Sequence, residues 1–204
     1  MINQLTQTFT LTAAQQAIVN GFIPFTRDTW ESYAARNIRN AIGMQLRTFQ
    51  NGKCCFCGLL YDETGRGEIE HIAPKKARPN EYPEFSFHPQ NLAMSCQLCN
   101  SSTMKGQYDS IAAYNPNYPQ CTFNIVHPYL DDHTLHYRWN HGLLRVVITG
   151  ISDEGRESIR LFKLAEEHRT TARAKQKNQE RLIALYNLPQ ATITRIKSVI
   201  NFRH

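Results

Sequence analysis

Apolar residues along the first fifty positions recur at helical steps. Between Asp28 and Phe49, the set Trp30, Tyr33, Ala34, Ile38, Ala41, Ile42, Leu46 and Phe49 falls mostly three or four residues apart, with Arg36, Arg39 and Arg47 between. That spacing predicts an amphipathic helix over 28–49, capped by Asp28 and stopped at Asn51-Gly52. A shorter helix is expected from near Thr12 to about Asn20, with Gly21 to Arg27 and Pro24 separating the two. From Lys53 to about Gly106 the periodicity gives way to short segments punctuated by Gly58, Gly65, Gly67, Pro74, Pro79, Pro83 and Pro89 between two cysteine pairs. This is the pattern of a small metal-held unit without a large apolar core.

Beyond it, residues 133–139 and 143–149 are short β-prone runs around Asn140-His141-Gly142, a three-residue hairpin loop by its composition. Asp153 is placed to cap a helix carrying Ile159, Leu161, Phe162 and Leu164 that continues, with a break, to Tyr186. Leu188-Pro189 ends it, and Ile193, Ile196, Val199 and Ile200 mark a last short helix. The expected class is α+β and mainly helical. The expected segments are a helical one at 1–50, a metal-stapled core with its following loop and hairpin at 51–150, and a second helical one at 151–204.

Composition narrows the setting. The chain has 204 residues, enough for one domain of ordinary size. No apolar run approaches the roughly 18 residues of a membrane span, and the start MINQLTQTFT lacks the basic and apolar regions of a signal peptide. A soluble cytoplasmic protein is expected, where thiols stay reduced and cysteine pairs read as metal ligands before disulfides. The net charge of +6 suits a polyanionic partner. Eight basic residues fall between Arg156 and Arg181 (Arg156, Arg160, Lys163, Arg169, Arg173, Lys175, Lys177, Arg181) against four glutamates. Such a stretch either tracks phosphates or keeps a helix face solvated.

Cys54-Cys55-Phe56-Cys57-Gly58 and Cys96-Gln97-Leu98-Cys99 hold two C-x-x-C pairs, whose two-residue spacers let tight turns aim four thiolates at one tetrahedral Zn²⁺. Cys55 competes for a place. The matching spacer of the second pair and the glycine after Cys57 favour Cys54, Cys57, Cys96 and Cys99, with Cys55 and Cys121 as ordinary small thiols. Residues 58–95 lie inside this clip and include Glu68-Ile69-Glu70-His71-Ile72-Ala73-Pro74-Lys75 and Asn91-Leu92, while Asn100 and Lys105 follow the last cysteine. A helix starting near Cys96 would set Cys96 and Asn100 on nearly one face.

In this order the elements resemble the HNH nuclease family, over roughly a quarter of the chain from Cys54 to Lys105. The resemblance implies a ββα-metal unit. In it His71 is the general base, Glu70 and Asn100 hold a catalytic Mg²⁺ or Mn²⁺, and Asn91 braces the loop that orients His71. Phosphodiester hydrolysis needs an activated water and a cation against the scissile phosphate, so the residue types suit the chemistry. Two departures stand out: the last position is Asn100 rather than His, and Lys105 sits farther along than the usual basic residue, where a solvent-facing lysine is an equal reading.

The helix before Lys53-Cys54, the 69–75 string, Phe123-Asn124-Ile125-Val126-His127-Pro128 and residues 159–169 resemble the small HNH proteins that accompany an ATPase in bacterial antiphage systems, the Septu-type and some retron-linked ones. That resemblance implies a DNA endonuclease partnered by an ATPase, with RNA as substrate and self-association left open. His127 and Asp131 resemble a His-Pro-x-x-Asp feature of one HNH branch, and a role at the site is open for them. The alternative is a non-catalytic zinc-knuckle adaptor that holds nucleic acid or protein, which has no use for Glu70, His71 and Asn100 together.

Overall fold

A computed structural model describes residues 2–76, 80–142, 144–186, 189 and 191–195. Helix α1 (Ala13–Asn20) starts where its capping box dictates, with the Thr12 hydroxyl accepting from the Gln15 amide and the Gln15 side chain accepting from the Thr12 amide. Helix α2 (Arg36–Phe49) is shorter than its apolar pattern predicts. Asp28 makes no side-chain cap, residues Thr29–Glu31 form only a 3₁₀ turn, and the Arg39 guanidinium takes the carbonyls of Trp30 and Ser32. Asn51 and Gly52 then leave α2 with positive φ, as expected of a helix stop.

After a single turn of helix, α3 (Tyr61–Thr64), comes an antiparallel pair, β1 (Gly67–His71) and β2 (Leu92–Cys96), in register Gly67↔Cys96 through His71↔Leu92. Helix α2 packs on this pair. The Gln50 side chain donates to the Met94 carbonyl (2.8 Å) and accepts from the Met94 amide (2.7 Å), pairing with β2 as a neighbouring strand would. Gly43 sits so close to β1 that a Cβ there would lie 3.3 Å from Ile69 Cδ1.

The helix expected from Cys96 is absent. Cys96 ends β2, and residues 97–107 form successive turns whose bonds include Asn100 N to Cys96 O, Lys105 N to Cys99 O and a positive φ at Gly106. The expected hairpin also differs. Asp132 caps a helical turn, α4 (His133–His136), by accepting from the Thr134 amide and hydroxyl, so His133 and His136 are not strand residues. Only β5 (Tyr137–Trp139) and β6 (Ile148–Gly150) pair, across a longer loop. Strands β3 (Ile111–Ala113) and β4 (Thr122–Phe123) make a third two-stranded unit.

Ser152, rather than Asp153, caps α5 (Asp153–Phe162), its hydroxyl accepting from the Gly155 amide. Lys163 in the left-handed conformation makes the expected break before α6 (Glu167–Tyr186). Of the last predicted helix, 191–195 is helical, and Ile196, Val199 and Ile200 lie outside the described residues. Residues from all three expected segments share one apolar core: Phe9, Trp30, Ile38 and Leu46 with Phe56, Ile72, Leu92, Phe162 and Leu164. Among the described residues no helix is long and apolar enough to cross a membrane.

Candidate active site and metal cluster

The two ends of the β1–β2 pair carry two different constellations. At the Gly67↔Cys96 end, Cys54, Cys57, Cys96 and Cys99 are all buried, and their sulfurs lie within 4.8 Å of one another. A tetrahedral zinc with bonds of about 2.3 Å sets its sulfurs about 3.8 Å apart, and Cys57 Sγ to Cys96 Sγ measures 3.9 Å. That separation is far beyond a disulfide. The Cys99 amide donates to Cys96 Sγ, as a tight knuckle turn allows. The four cysteines therefore form a cluster able to hold one zinc ion. Cys55 is buried outside it and burial pushes its thiol up; Cys121 packs against the Asn115 backbone.

Helix α6 closes on this cluster with a polar stripe. Arg169 Nη2 donates to Cys99 Sγ (3.4 Å), and Gln176 bonds the Gly58 carbonyl and the Leu60 amide beside the first knuckle. Glu180 pairs with Lys53 at 2.8 Å. Burial works against the Arg169 charge, but the thiols of Cys99, Cys57 and Cys96 more than offset it. The basic stretch thus divides between two enclosed arginines and a solvated remainder in which Arg156, Arg160, Lys163, Lys175 and Arg181 are exposed. Arg169 and Arg173 are buried, and Arg156, Arg160 and Lys177 pair with Asp153, Glu157 and Glu180.

At the His71↔Leu92 end, roughly 13 Å along the strand at about 3.3 Å per residue, Glu70, His71 and Asn100 line one cleft of 270 Å³ with Trp30, Lys75 and Lys76. In a two-stranded sheet β1 has a free edge, so neighbours that point to opposite faces, as Glu70 and His71 do, can rim one cleft. His71 Nε2 donates to the Ser86 carbonyl (3.1 Å), because a carbonyl can only accept. Its ring meets Trp30 edge-on at 4.6 Å, and Phe87 backs Trp30 at 5.1 Å. Burial, then the charge of Lys75, brings His71 down to about 3, so the ring is neutral with Nδ1 as its lone-pair nitrogen.

Glu70 is buried beside Lys105, which is wholly enclosed, with Nζ 3.4 Å from Oε1 and donating also to the Tyr108 carbonyl. This corrects the solvent-facing reading of Lys105. Burial lifts the Glu70 carboxyl to about 7 although Lys105 pulls it down. Asn100 donates Nδ2 to Glu68 (2.8 Å), which leaves its carbonyl oxygen as a donor for a cation. Glu68 itself is held by Arg66 at 2.6 Å.

Asn91 lies behind the cleft, fully enclosed. Its Oδ1 accepts from the Ala73 amide (2.7 Å) and the Tyr118 hydroxyl (2.9 Å), and its Nδ2 donates to the carbonyls of Phe85 and Ala73. It ties the segment after His71 to the one that offers Ser86. His127 extends this chain: Nδ1 accepts from the amides of Tyr129 and Leu130, which makes Nε2 the donor to the Tyr118 hydroxyl at 2.9 Å. Asp131 accepts from the His127 amide. His127, buried, and Asp131, half-buried, are therefore part of this hub, away from the cleft lining. Among the described residues His88, His141 and His168 do not enter the cleft, and His204 lies outside those residues.

Trp30, Ser86, Tyr118 and Arg169 carry no motif, and sequence reasoning missed their parts. Glu68 had one signal, its two-residue step from Glu70, which puts both on one strand face.

Fold and site together define an α+β protein with a four-cysteine cluster at one end of a strand pair and a carboxylate–imidazole cleft at the other. Over 168 residues the chain is 30% identical to the Septu protein PtuB of Bacillus mycoides (strain KBAB4), an alignment covering 74% of this chain and 55% of that protein. The chain spans about half the length of that relative. No protein-family model matches it.

Proposed function

We propose that the chain is a metal-dependent HNH-type endonuclease that hydrolyses phosphodiester bonds in DNA, as the nuclease subunit of a Septu-type antiphage system with a partner ATPase. The observation that carries the chemistry is His71: Nε2 is engaged by the Ser86 carbonyl, and the neutral ring lines the same cleft as Glu70 and Asn100. The likeness to a Septu protein supports the setting.

Glu70 Oε2 and Asn100 Oδ1 are the oxygen donors for Mg²⁺ or Mn²⁺, whose charge when bound offsets that of the scissile phosphate. His71 Nδ1 accepts the proton of the attacking water, and an anionic phosphate nearby raises the basicity of a ring whose burial and cationic neighbours depress it. Trp30 and Ser86 fix the ring plane. Lys76 on the cleft wall attracts the phosphate, and Lys75 does so by exchanging its partner Glu31 (3.0 Å) for it. The four cysteines serve structure through zinc.

The test is plasmid cleavage by wild type and His71→Ala with Mg²⁺, Mn²⁺ or EDTA, with and without the partner ATPase, and zinc measured on both proteins. Divalent-dependent cutting that His71→Ala loses at unchanged zinc content is expected. Wild-type cutting by the variant removes His71 from the chemistry, and no cutting under any condition leaves the zinc-knuckle adaptor.

A further inference from the structure

Helix α2 contains three arginines, Arg36, Arg39 and Arg47, and no acidic residue. Arg36, Asn40, Met44 and Arg47 are exposed at helical spacing along one side. A groove of 560 Å³ runs beside them, walled by Arg39, Asn40 and Arg47 and floored by Trp30 and Ile69. Trp30 and Ile69 also line the Glu70–His71 cleft, so groove and cleft are adjacent and share these two side chains as a common wall. The close approach at Gly43 holds α2 against β1 and so sets the arginines beside the cleft.

We propose that this face of α2 is a track for one phosphate backbone of duplex DNA, leading into the cleft. The choice of DNA as occupant rests on the nuclease reading, and the surface is argued from charge and from its place beside the cleft. Arg47 Nη2 is fixed on the Gly67 carbonyl (2.6 Å) and Arg39 Nη1 on those of Trp30 and Ser32, which preorganises both guanidinium groups and leaves each further donors for phosphate oxygens. From Arg36 to Arg47 the helix rises about 16 Å at 1.5 Å per residue. That matches about five nucleotides of one strand at 3.4 Å each. The other basic stretch carries its own counter-charge, Asp153, Glu157 and Glu180 pairing with Arg156, Arg160 and Lys177, and buries Arg169 and Arg173, whereas α2 has no acidic residue.

The experiment measures binding of a short labelled duplex by the full chain carrying His71→Ala, in EDTA, across a salt series. Arg36→Gln and Arg36→Gln with Asn40→Asp are compared with a charge-matched control, Arg181→Glu on α6, with melting and zinc content checked for each. The expected result is a salt slope shallower by about one for the lost arginine contact, affinity down about tenfold in the double variant, and a control close to the parent. Equal slopes and affinities for parent and α2 variants overturn the track, as does a parent that binds no DNA. Binding that follows α2 in a chain whose wild type cuts nothing upholds the track and defeats the nuclease reading. Cutting by a chain with His71 intact that the same α2 substitutions leave unchanged does the reverse.

Discussion

Lys105 Nζ stands 3.4 Å from Glu70 Oε1 with both side chains shut away from water. Removing one member of such a pair strands the other's charge in a dry site. Lys105→Met is expected to destabilise the fold by about 3 kcal/mol or more, and to raise the Glu70 carboxyl further, weakening divalent binding at neutral pH. Glu70→Gln added to Lys105→Met should recover part of the lost stability. A double-mutant cycle by denaturant unfolding checks this, and additive losses would show that the two do not act as a pair.

The Arg169 donation to Cys99 Sγ steadies the cluster from α6. Arg169→Leu should keep the apolar contacts yet weaken zinc retention about 10- to 100-fold, read as faster release to a chromogenic chelator. Cys99→Ala should lose the metal outright and unfold the core. Zinc release at the wild-type rate from Arg169→Leu would assign that arginine to packing alone.

Tyr118 passes a hydrogen bond from His127 to Asn91, and Asn91 ties Ala73 to Phe85, next to the Ser86 carbonyl that holds His71. Tyr118→Phe keeps the ring and leaves His127 Nε2–H without its acceptor, at about 1–3 kcal/mol. Cleavage should fall more in kcat than in KM, because the displaced group is His71 and not the phosphate contacts. A lower melting point with unchanged kcat would contradict the link.

Acid should unfold the protein early. Burial brings His127 down to about 3 from 6.5, so the unfolded chain binds a proton that the folded chain refuses between those values. Stability is therefore full above pH 6.5 and lost as the pH falls toward 3. His71 acts in the same direction, whereas Glu70, raised from 4.5 to about 7, favours the fold toward the acid side of that window. Melting temperatures from pH 7 to 4 should fall less steeply in His127→Gln than in wild type, and parallel curves would refute the assignment.

What the sequence reveals here is what spacing encodes. The C-x-x-C spacers lead to the four-cysteine cluster, the apolar steps after Thr12 to α1, and adjacent Glu70 and His71 to one strand end. Spacing does not tell which way a charged side chain points. Spacing leaves Lys105, Arg169 and Arg173 at the surface, on phosphate or in solvent, yet each is enclosed where carbonyls or sulfurs receive it. The expected helix from Cys96 failed for a related reason: the knuckle turn and the Lys105 amide on Cys99 O bend the backbone away from a regular helix. Asn91 shows both sides, since its motif position was legible while its partner Tyr118, distant in sequence, was not.

The stripe Arg169, Gln176 and Glu180 closes over cysteines fixed much earlier in the chain. During synthesis both cysteine pairs leave the ribosome well before α6 does, so for that interval the thiols lack this cover. Metal loading, oxidation or chaperone capture would compete in that window, and α6 is the latch that would end the competition.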